Sequence, residues 1–540
     1  MNDRNVPKDG LAGFKENLRA DLLSGFLVFL IALPLCIGIS IASGFGPVGG
    51  LFTAIIGGIV VSFFSGAPIT IKGPAAGLIP IAFGCIEAMK ADPVTTSTAY
   101  QCALAVVVIA GIIQVIGGLL RAGIMSDFFP SAPVHGMLAA IGVLIISKEI
   151  HTTLGVTPAA KTAVGRIAEI PHSFMTLNPY VALIGGISLL ILIVMPRIKS
   201  NIARRIPGPL VVLAVSIPLG LYFQLETLHS YLFAGAEHVI DPKNHLINLP
   251  ANIVDTITFP NFAHITTSSS IQYIILFALI GSIESLASAK AIDTLDPYKR
   301  KSNFNKDLLA ISIGNTASGL VGGLPMISEI VRSSANINNG GKTRWANFWH
   351  GIFLLSVLAL VPHLLHYIPR AALGAMLVFT GFRLASPKEF AHMLHIGKEQ
   401  LFIFLVTIVV TVVEDLLLGI IAGVLTKLVL HIINGAPLSA LFKPTVVAHD
   451  VDPNTVRLEV QKAAIFSNYI GLKRRIEHVE PGKNIIMDFS GARLVDHSVM
   501  QYMQELAADY ARQGRSFTVV GLERHRPLSN HPLAARKLAT

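Results

Sequence analysis

The sequence predicts a polytopic α-helical membrane protein with a small α/β domain at its C-terminal end, and three observations support this. Of 540 residues, 52% are hydrophobic and only 14% are charged, and the mean hydropathy is +0.63. The apolar residues are grouped in runs long enough to cross a bilayer. The composition turns abruptly polar after Gly435. A soluble protein with this composition would expose a large apolar surface, whereas a chain inside lipid does not.

The net charge of +10 is the one feature that suggests nucleic-acid binding. The Lys and Arg residues, however, lie mostly in short loops between apolar runs, which is the pattern of membrane orientation. We therefore predict no nucleic-acid partner. Cys36, Cys85 and Cys102 all fall inside apolar segments, so the sequence offers no disulfide framework and no metal-ligand spacing.

The hydrophobic runs predict about 14 membrane crossings, since a bilayer core needs roughly 20 apolar residues per helix. Two apolar segments are short and broken by Gly and Pro, Gly73–Met89 and Gly322–Asn336. The last long run is interrupted at Glu414 and Asp415, and we count it as two spans. The continuous runs are Leu22–Ile41, Val48–Phe64, Ala103–Leu120, Val134–Ser147, Val181–Met195, Leu210–Tyr222, Ile271–Ala291, Leu308–Val321, Phe348–Val361, Ala371–Phe382 and Leu401–Ile433.

The distribution of Lys and Arg in short loops predicts the orientation. If residues 1–20 are a cytoplasmic N-terminus and residues 21–435 the transmembrane domain, the two longest outer loops hold few basic residues, namely Lys161, Arg166 and Lys243. The cytoplasmic loops then hold Arg197, Lys199, Arg204, Arg205, Lys299, Arg300, Lys301, Lys306, Lys342, Arg344, Lys388 and Lys398. We expect a multi-pass protein of the cell (inner) membrane with both termini cytoplasmic.

The chain also repeats itself. Asp21, at the start of the first span, lies 53 residues before Pro74, and Ile271 lies 54 residues before Pro325. Paired, Gly/Pro-broken spans at matching places in two halves indicate an inverted-repeat transporter. The N-termini of its broken helices would meet near the membrane midplane and bind an anion through free N–H groups. Kinks that serve only packing are the alternative.

Several stretches resemble the SulP family of anion permeases. They are DLLSGFLVFLIALPLCIGISIASGFGPVGGLFTAIIGG, GAPITIKGPAAG, GNTASGLVGGLP, RSSANINNGGKTRWAN and IIMDFSGARLVDHSVM, the last of which is similar to part of a STAS domain. The resemblance runs from about residue 15 to the end of the chain.

The resemblance implies two inverted seven-helix repeats arranged as core and gate domains, with elevator-type motion of one against the other and a homodimer in the bilayer. It implies secondary transport of a small inorganic anion of the sulfate or bicarbonate class, with no cofactor other than a coupling ion. Coupling to sodium or protons is expected, and anion exchange and channel-like conduction also occur in the family. Fold alone does not name the substrate, because nucleobase permeases share this fold.

The predicted substrate site lies at the two broken helices. Proline suits a helix's first turn, and small residues leave backbone donors reachable. The first helix is expected to begin at Gly73, Pro74, Ala75 and Ala76. The second is expected to begin near Pro325 and to carry Ser328, Glu329, Ile330, Val331 and Arg332 in its first turns. Arg332 matches the family's basic residue, and its guanidinium suits an oxyanion. A structural capping arginine is the alternative.

The predicted coupling-ion residues are Glu284 and Ser288. Glu284 lies within an apolar span, where an uncompensated charge costs at least ~2.5 kcal/mol. It matches the family's acidic position in the eighth span, which can bind sodium or carry a proton. Ser288, one helical turn later, shares its face. A structural hydrogen bond to the neighbouring half-helix is the alternative.

Three residues depart from the family pattern. Leu35 stands where many sulfate permeases have Gln, and Glu329 stands where small residues are usual. Lys72, just before Gly73, stands where the family usually has a hydroxyl or a small residue. We predict that Lys72 and Glu329 form a charge pair across the site. The alternative is that Glu329 titrates during the transport cycle and makes proton coupling possible.

Residues 440–540 read as a cytoplasmic STAS-like domain, with strands at Val456–Val460, Asn484–Ser490 and Phe517–Leu522 and a helix at Val499–Gln513. Phospho-switch STAS domains carry Ser or Thr directly after the motif's last Asp. Here His497 follows Asp496, and Ser498 comes one place late. We therefore expect a packing or dimer-contact role.

Three other functions compete with inorganic anion transport. The first is a nucleobase, dicarboxylate or other organic-anion carrier on the same fold. The second is a membrane-tethered STAS signalling protein, but an anchor would need neither Glu284 nor Arg332. The third is an enzyme, for which His135, His151 and His350 are too scattered to form a metal site or a triad. We predict no catalytic residues and no metal site.

Overall fold

The computed structural model describes residues 6–91, 96–123, 130–198, 206–247 and 254–539. The predicted cytoplasmic residues Lys199, Arg204 and Arg205 lie outside these ranges. The chain divides into two compact units. One comprises Met1–Gly123 and Ile141–Arg383, and the other comprises Ile124–Ala140 and Leu384–Thr540.

The first half of the membrane part is helical except for one short strand and a β-hairpin. Its elements are α1 (Gly10–Ala42), α2 (Gly46–Phe64), β1 (Ile71–Pro74), a 3-10 turn (Ala76–Leu78), α3 (Ile79–Ala91), α4 (Thr96–Leu119), α5 (Ser131–Leu154), α6 (Ala163–Met175), α7 (Pro179–Val194), α8 (Gly208–Tyr222), β2 (His229–Phe233), β3 (Ala236–Ile240) and α9 (Pro242–His245). Helix α1 begins at Gly10, within the segment predicted as an N-terminal tail.

The second half repeats the order of helix, helix, strand and short helix. Its elements are α10 (Ser268–Leu295), α11 (Phe304–Leu320), β4 (Met326–Glu329), α12 (Ile330–Asn338), α13 (Trp345–Leu360), α14 (Pro362–Leu365), α15 (Arg370–Leu384), α16 (Pro387–Ile396), α17 (Lys398–Val413) and α18 (Leu416–Ile433). The predicted break at Glu414 and Asp415 is confirmed, since Asp415 caps α18 by accepting a hydrogen bond from the Leu418 N–H.

Seven helices in the described residues are long and apolar enough to cross a membrane, namely α1, α2, α4, α5, α7, α10 and α18. Helices α8 and α13 are apolar but shorter. With the shorter helices α3, α11, α12, α15 and α17, which correspond to the other predicted segments, they give seven helices in each half of the described chain. Amphipathic α6 and α16 and the β2–β3 hairpin were not predicted.

Unit one has a hydrophobic core shared by α1, α2, α7, α8, α13 and α15. Cys36 and Ile37 of α1, Leu51 and Ala54 of α2 and Leu354 of α13 are among its fully buried members. Close helix packing depends on small residues. A Cβ atom at Gly58 of α2 would lie 2.6 Å from the Gly351 Cα of α13. Small residues at helix crossings are typical of membrane bundles, where van der Waals packing rather than water exclusion holds helices together.

Unit two combines α16, α17, α18 and the start of α5 with the C-terminal α/β domain. The domain's elements are β5 (Thr445–Asp452), β6 (Thr455–Ala464), α19 (Tyr469–Glu477), β7 (Asn484–Asp488), β8 (Ala492–Val495), α20 (His497–Arg512), β9 (Phe517–Val520), β10 (His525–Pro527) and β11 (Arg536–Leu538). Strand β6 pairs in parallel with β7 and β8, and β7 pairs in parallel with β9. The predicted strands and helix are confirmed, and this sheet with its helices is consistent with a STAS domain.

Candidate functional site

The two broken segments are joined by a short antiparallel ladder. Strand β1 pairs with β4 so that Lys72 lies opposite Ser328 and Gly73 lies opposite Ile327. Strand β1 leads through Ala75 and a 3-10 turn into α3, and β4 leads directly into α12, so the antiparallel ladder holds the two helix starts at its two ends. The predicted meeting of two interrupted spans is therefore present, and it is made by backbone hydrogen bonds across the two repeats.

The helix starts differ from the predicted ones. Gly73 and Pro74 belong to β1, Ala75 is extended, and helical structure begins only at Ala76. In the second repeat, Ser328 and Glu329 belong to β4, and α12 begins at Ile330. The prediction of helix from Pro325 was wrong because β4 pairs with a strand far away in sequence, with Met326 opposite Pro74, 252 residues earlier. Local patterns do not reveal such a partner.

The Arg332 side chain packs against the face of the ladder that carries Gly73. This side chain is 1% exposed, and its Nη2 donates to the Pro74 carbonyl at 2.5 Å while its Nη1 donates to the Cys36 Sγ at 3.4 Å. Its Nε is buried and has no hydrogen-bond partner among the described residues. A Cβ atom at Gly73 would collide with the Arg332 guanidinium, so the absence of a side chain at Gly73 lets the guanidinium approach this closely. The Nε donor of the guanidinium is thus left for a ligand at the junction of the half-helices.

Glu284 of α10 points at the first turn of the other half-helix. A Cβ atom at Gly77 would collide with its carboxylate, so the Glu284 oxygens lie directly against this backbone. The Oε2 atom is buried, and no group in the described parts of the chain forms a hydrogen bond with it. Ser288 is 3% exposed and lies one turn further along α10. A buried carboxylate oxygen without a partner is costly, and a proton or a bound cation would satisfy it.

The other predicted residues divide into buried and accessible ones. Ala75 and Ala76 are 2% and 9% exposed, whereas Ile330 and Val331 in the first turn of α12 are 42% and 37% exposed. Glu329 is partly buried and is the N-cap residue of α12, but its side chain does not accept a capping hydrogen bond.

The predicted Lys72–Glu329 pair does not form. Lys72 Nζ instead lies 2.9 Å from Oδ1 and 3.2 Å from Oδ2 of Asp307, and it also donates to Thr70 and to the Ser328 Oγ. The reason is the register. Lys72 and Ser328 share one face of the ladder, whereas Glu329 is opposite Ile71 on the other face. The side chains of Lys72 and Glu329 therefore point apart.

Asp307 is the most important residue that the sequence analysis missed. It is 1% exposed, and its Oδ1 accepts hydrogen bonds from the Ser65 hydroxyl at 2.8 Å, from the Ala67 N–H at 3.1 Å and from the Gly66 N–H at 3.2 Å. The Lys72–Asp307 network thus ties the loop before β1, both strands and the first turn of α11. The available signal was an acidic residue at the start of an apolar run, just before Leu308.

Two further residues hold β4 in place and were also missed. The Ser285 Oγ, next to Glu284 on α10, accepts from the Ser328 N–H at 3.1 Å. The Asn315 Oδ1 of α11 accepts from the Met326 N–H at 2.6 Å, while its Nδ2 donates to Gln114 of α4. These bonds satisfy backbone groups of a strand that has a partner on one side only, which is necessary inside a membrane.

In unit two, the motif examined as a phospho-switch contacts the last membrane helix. Lys427 of α18 lies 3.3 Å from the Asp496 Oδ2 and 2.8 Å from the Ser498 Oγ, and both charged side chains are 0% exposed. Burial opposes ionisation of Asp496, but Lys427, His431 and two backbone N–H groups outweigh it. The pKa of Asp496 therefore lies below its usual value. Asp496 and Ser498 have the predicted packing role, toward α18.

No group of three or more His, Cys, Asp or Glu side chains is arranged to hold a metal ion within the described parts of the chain. The chemistry at the ladder is that of small-ion binding in a buried site. It consists of two helix N-termini, the Arg332 guanidinium, and the Glu284 and Glu329 carboxylates, which form no ion pair within the described ranges. Two broken helices that meet in this way within repeated sets of spans define a membrane transporter of the inverted-repeat class.

The chain matches the Sulfate permease family over residues 18–407, and it belongs to that family. Members of this family are transporters and not enzymes. The chain is 27% identical to YvdB of Bacillus subtilis (strain 168), over 94% of this chain and 92% of that protein. It is 24% identical to the bicarbonate transporter BicA of Picosynechococcus sp., over 77% of this chain and 70% of BicA.

Two solved structures share the fold. The transmembrane domain of a cyanobacterial bicarbonate transporter BicA superposes with a TM-score of 0.61 at 23% identity, covering 76% of this chain and 97% of that one. The murine anion transporter Slc26a9 in its inward-facing state superposes with a TM-score of 0.67 at 14% identity, covering 93% and 85% of the two chains. These similarities confirm the predicted polytopic fold.

Proposed function

We propose that the protein is a secondary active transporter that moves small inorganic anions of the sulfate or bicarbonate class. The observation that carries this proposal is the junction of the two half-helices beside Arg332. Each helix N-terminus supplies roughly +0.5 of an elementary charge, and the buried guanidinium has an Nε donor without a protein partner. An oxyanion is the ligand that such donors fit.

The proposed driving force is a sodium or proton gradient acting through Glu284 and Ser288. The support is the unpartnered Oε2 of Glu284, placed against the first turn at Gly77. A cation or proton bound there would offset the charge of an anion bound beside Arg332. Binding of the two ions would therefore be mutually favourable, which is the physical requirement for symport.

The proposed setting is the cell (inner) membrane with both termini cytoplasmic, as a homodimer, with core helices moving against gate helices like an elevator. The basic residues of the short loops support the orientation. Family membership and the fold shared with Slc26a9 support the elevator-type motion and the homodimer.

The test is uptake into proteoliposomes containing the purified full-length protein. Labelled sulfate and labelled bicarbonate are supplied separately, each with an imposed sodium gradient, an imposed proton gradient or neither. We expect accumulation of at least one anion above the gradient-free level. Protein-free liposomes serve as the control.

The outcome that contradicts the proposal is an absence of uptake of both anions under every gradient by folded protein. Unlabelled uracil is included as a competitor. Uptake of labelled uracil, or strong competition by it, would instead assign the protein to nucleobase transport on the same fold.

A further inference from the structure

Glu329 is a carboxylate at the proposed anion site without a partner. Within the described residues it forms no ion pair and accepts no hydrogen bond, although it occupies the N-cap position of α12. The ladder register places it on the face of Ile71 and Gly73, where the Arg332 guanidinium also lies, and away from Lys72. Its charge therefore acts on the anion site.

The charged groups around Glu329 come from several elements. Arg332 of α12 and Glu284 of α10 are within its electrostatic reach, as is Cys36 of α1. His350 of α13 is within reach of Arg332. On the opposite face of the ladder, Lys72 and Asp307 form a closed ion pair with no net charge. The site's formal side-chain charge thus comes from Arg332, Glu284 and Glu329 and equals −1.

The two half-helix N-termini contribute about +1 together, so the empty site is close to neutral. One coupling cation or proton brings it to about +1, which matches one negative charge. A monovalent anion would leave the loaded site neutral, whereas a dianion would leave an excess negative charge in a buried region. Uncompensated charge at such depth is strongly unfavourable.

We infer that Glu329 selects the transported anion by its charge, so that monovalent oxyanions such as bicarbonate or nitrate are carried in preference to divalent sulfate. This inference rests on the proposed anion transport at the half-helix junction and names the substrate class of that site. Glu329 acts as a specificity-determining residue through repulsion, which is a common means of rejecting a competing ligand. Replacing Glu329 by a neutral residue would raise the net charge of the site by one unit and allow the dianion to bind.

The experiment compares the wild-type protein with Glu329→Gln, Glu329→Asp and a control, Glu237→Gln, in proteoliposomes. Glu237 is an exposed carboxylate on the hairpin strand β3. Labelled bicarbonate uptake is competed with unlabelled nitrate or sulfate, and labelled sulfate uptake is measured directly. We expect the wild type, Glu329→Asp and Glu237→Gln to favour the monovalent anions.

Glu329→Gln should raise sulfate uptake relative to bicarbonate by roughly tenfold, the effect of one unit charge acting within ~10 Å at an effective dielectric constant near 20. Equal use of sulfate and bicarbonate by the wild type overturns the inference, as does an unchanged preference in folded Glu329→Gln. If Glu329→Gln does not fold, Glu329→Asp decides the question because it keeps the negative charge. Loss of the preference for monovalent anions in Glu329→Asp counts against the inference, and retention of this preference supports the inference. Uptake of neither anion by the wild type would instead refute the proposed function.

Discussion

Replacing Lys72 by methionine removes the positive partner of a fully buried ion pair while keeping most of the side-chain volume. Asp307 then remains 1% exposed with its two oxygens facing an apolar replacement. It keeps the hydrogen bonds from the Ser65 hydroxyl and from the Gly66 and Ala67 N–H groups, but its charge is no longer balanced. We expect Lys72→Met to be strongly destabilising.

The expected magnitude is ~3–5 kcal/mol, which is typical when one member of a buried pair is removed. Asp307→Asn should cost a similar amount, because it strands the Lys72 ammonium among the Thr70 and Ser328 hydroxyls. The double variant leaves no buried charge in this network. Its cost should therefore be smaller than the sum of the single costs by roughly 1–3 kcal/mol.

The assay is thermal unfolding of the detergent-solubilised full-length protein for the wild type, both single variants and the double variant. A second cycle with Lys72→Met and Glu329→Gln is the matched control, since Glu329 lies on the other face of the ladder. That control cycle should be additive. Additivity of the Lys72–Asp307 cycle, or coupling only in the control, would refute the assignment of the pair.

Three further predictions concern the proposed anion site, the proposed coupling site and the contact between α18 and the C-terminal domain. Arg332→Ala should abolish anion uptake by folded protein in proteoliposomes, with partial rescue by lysine, which keeps the charge but loses the planar fork; normal uptake by the alanine variant would exclude the role. Glu284→Gln should remove the dependence of uptake on a sodium or proton gradient, and unchanged ion dependence would leave only a structural role. Lys427→Met and Asp496→Asn should each lower the unfolding temperature, and the double variant should recover part of the loss; a fully additive cycle would argue against the buried contact of α18 with the α20 N-terminus.

The sequence correctly located both broken segments because Gly and Pro mark them without reference to the rest of the chain. Gly73, Pro74 and Pro325 stop a continuous apolar helix wherever the chain folds. Glu284 and Arg332 were equally visible, since an ionisable side chain in an apolar run rarely occurs without a role. These are properties of single segments, and local patterns carry them.

The partner of Lys72 was not visible in the same way. Lys72, Glu329 and Asp307 are all charged residues near the broken segments, and sequence distance does not distinguish the two carboxylates. The choice depends on the register of β1 against β4, because side chains alternate between the two faces of a ladder. A shift of one residue would place Glu329 on the Lys72 side.

The sequence by itself determined that the chain crosses a membrane many times, that it repeats, and that a soluble α/β domain follows. Each of these follows from the hydrophobicity of a segment, its Gly and Pro breaks and its periodicity. Only the tertiary structure decided that the half-helices are preceded by paired strands, that Asp307 neutralises Lys72 and that Glu329 has no ion-pair partner in the part of the chain that the structure describes. The physical reason is that a buried charge pairs with whichever opposite charge lies close to it in space. Segments far apart in the chain come close together only after folding.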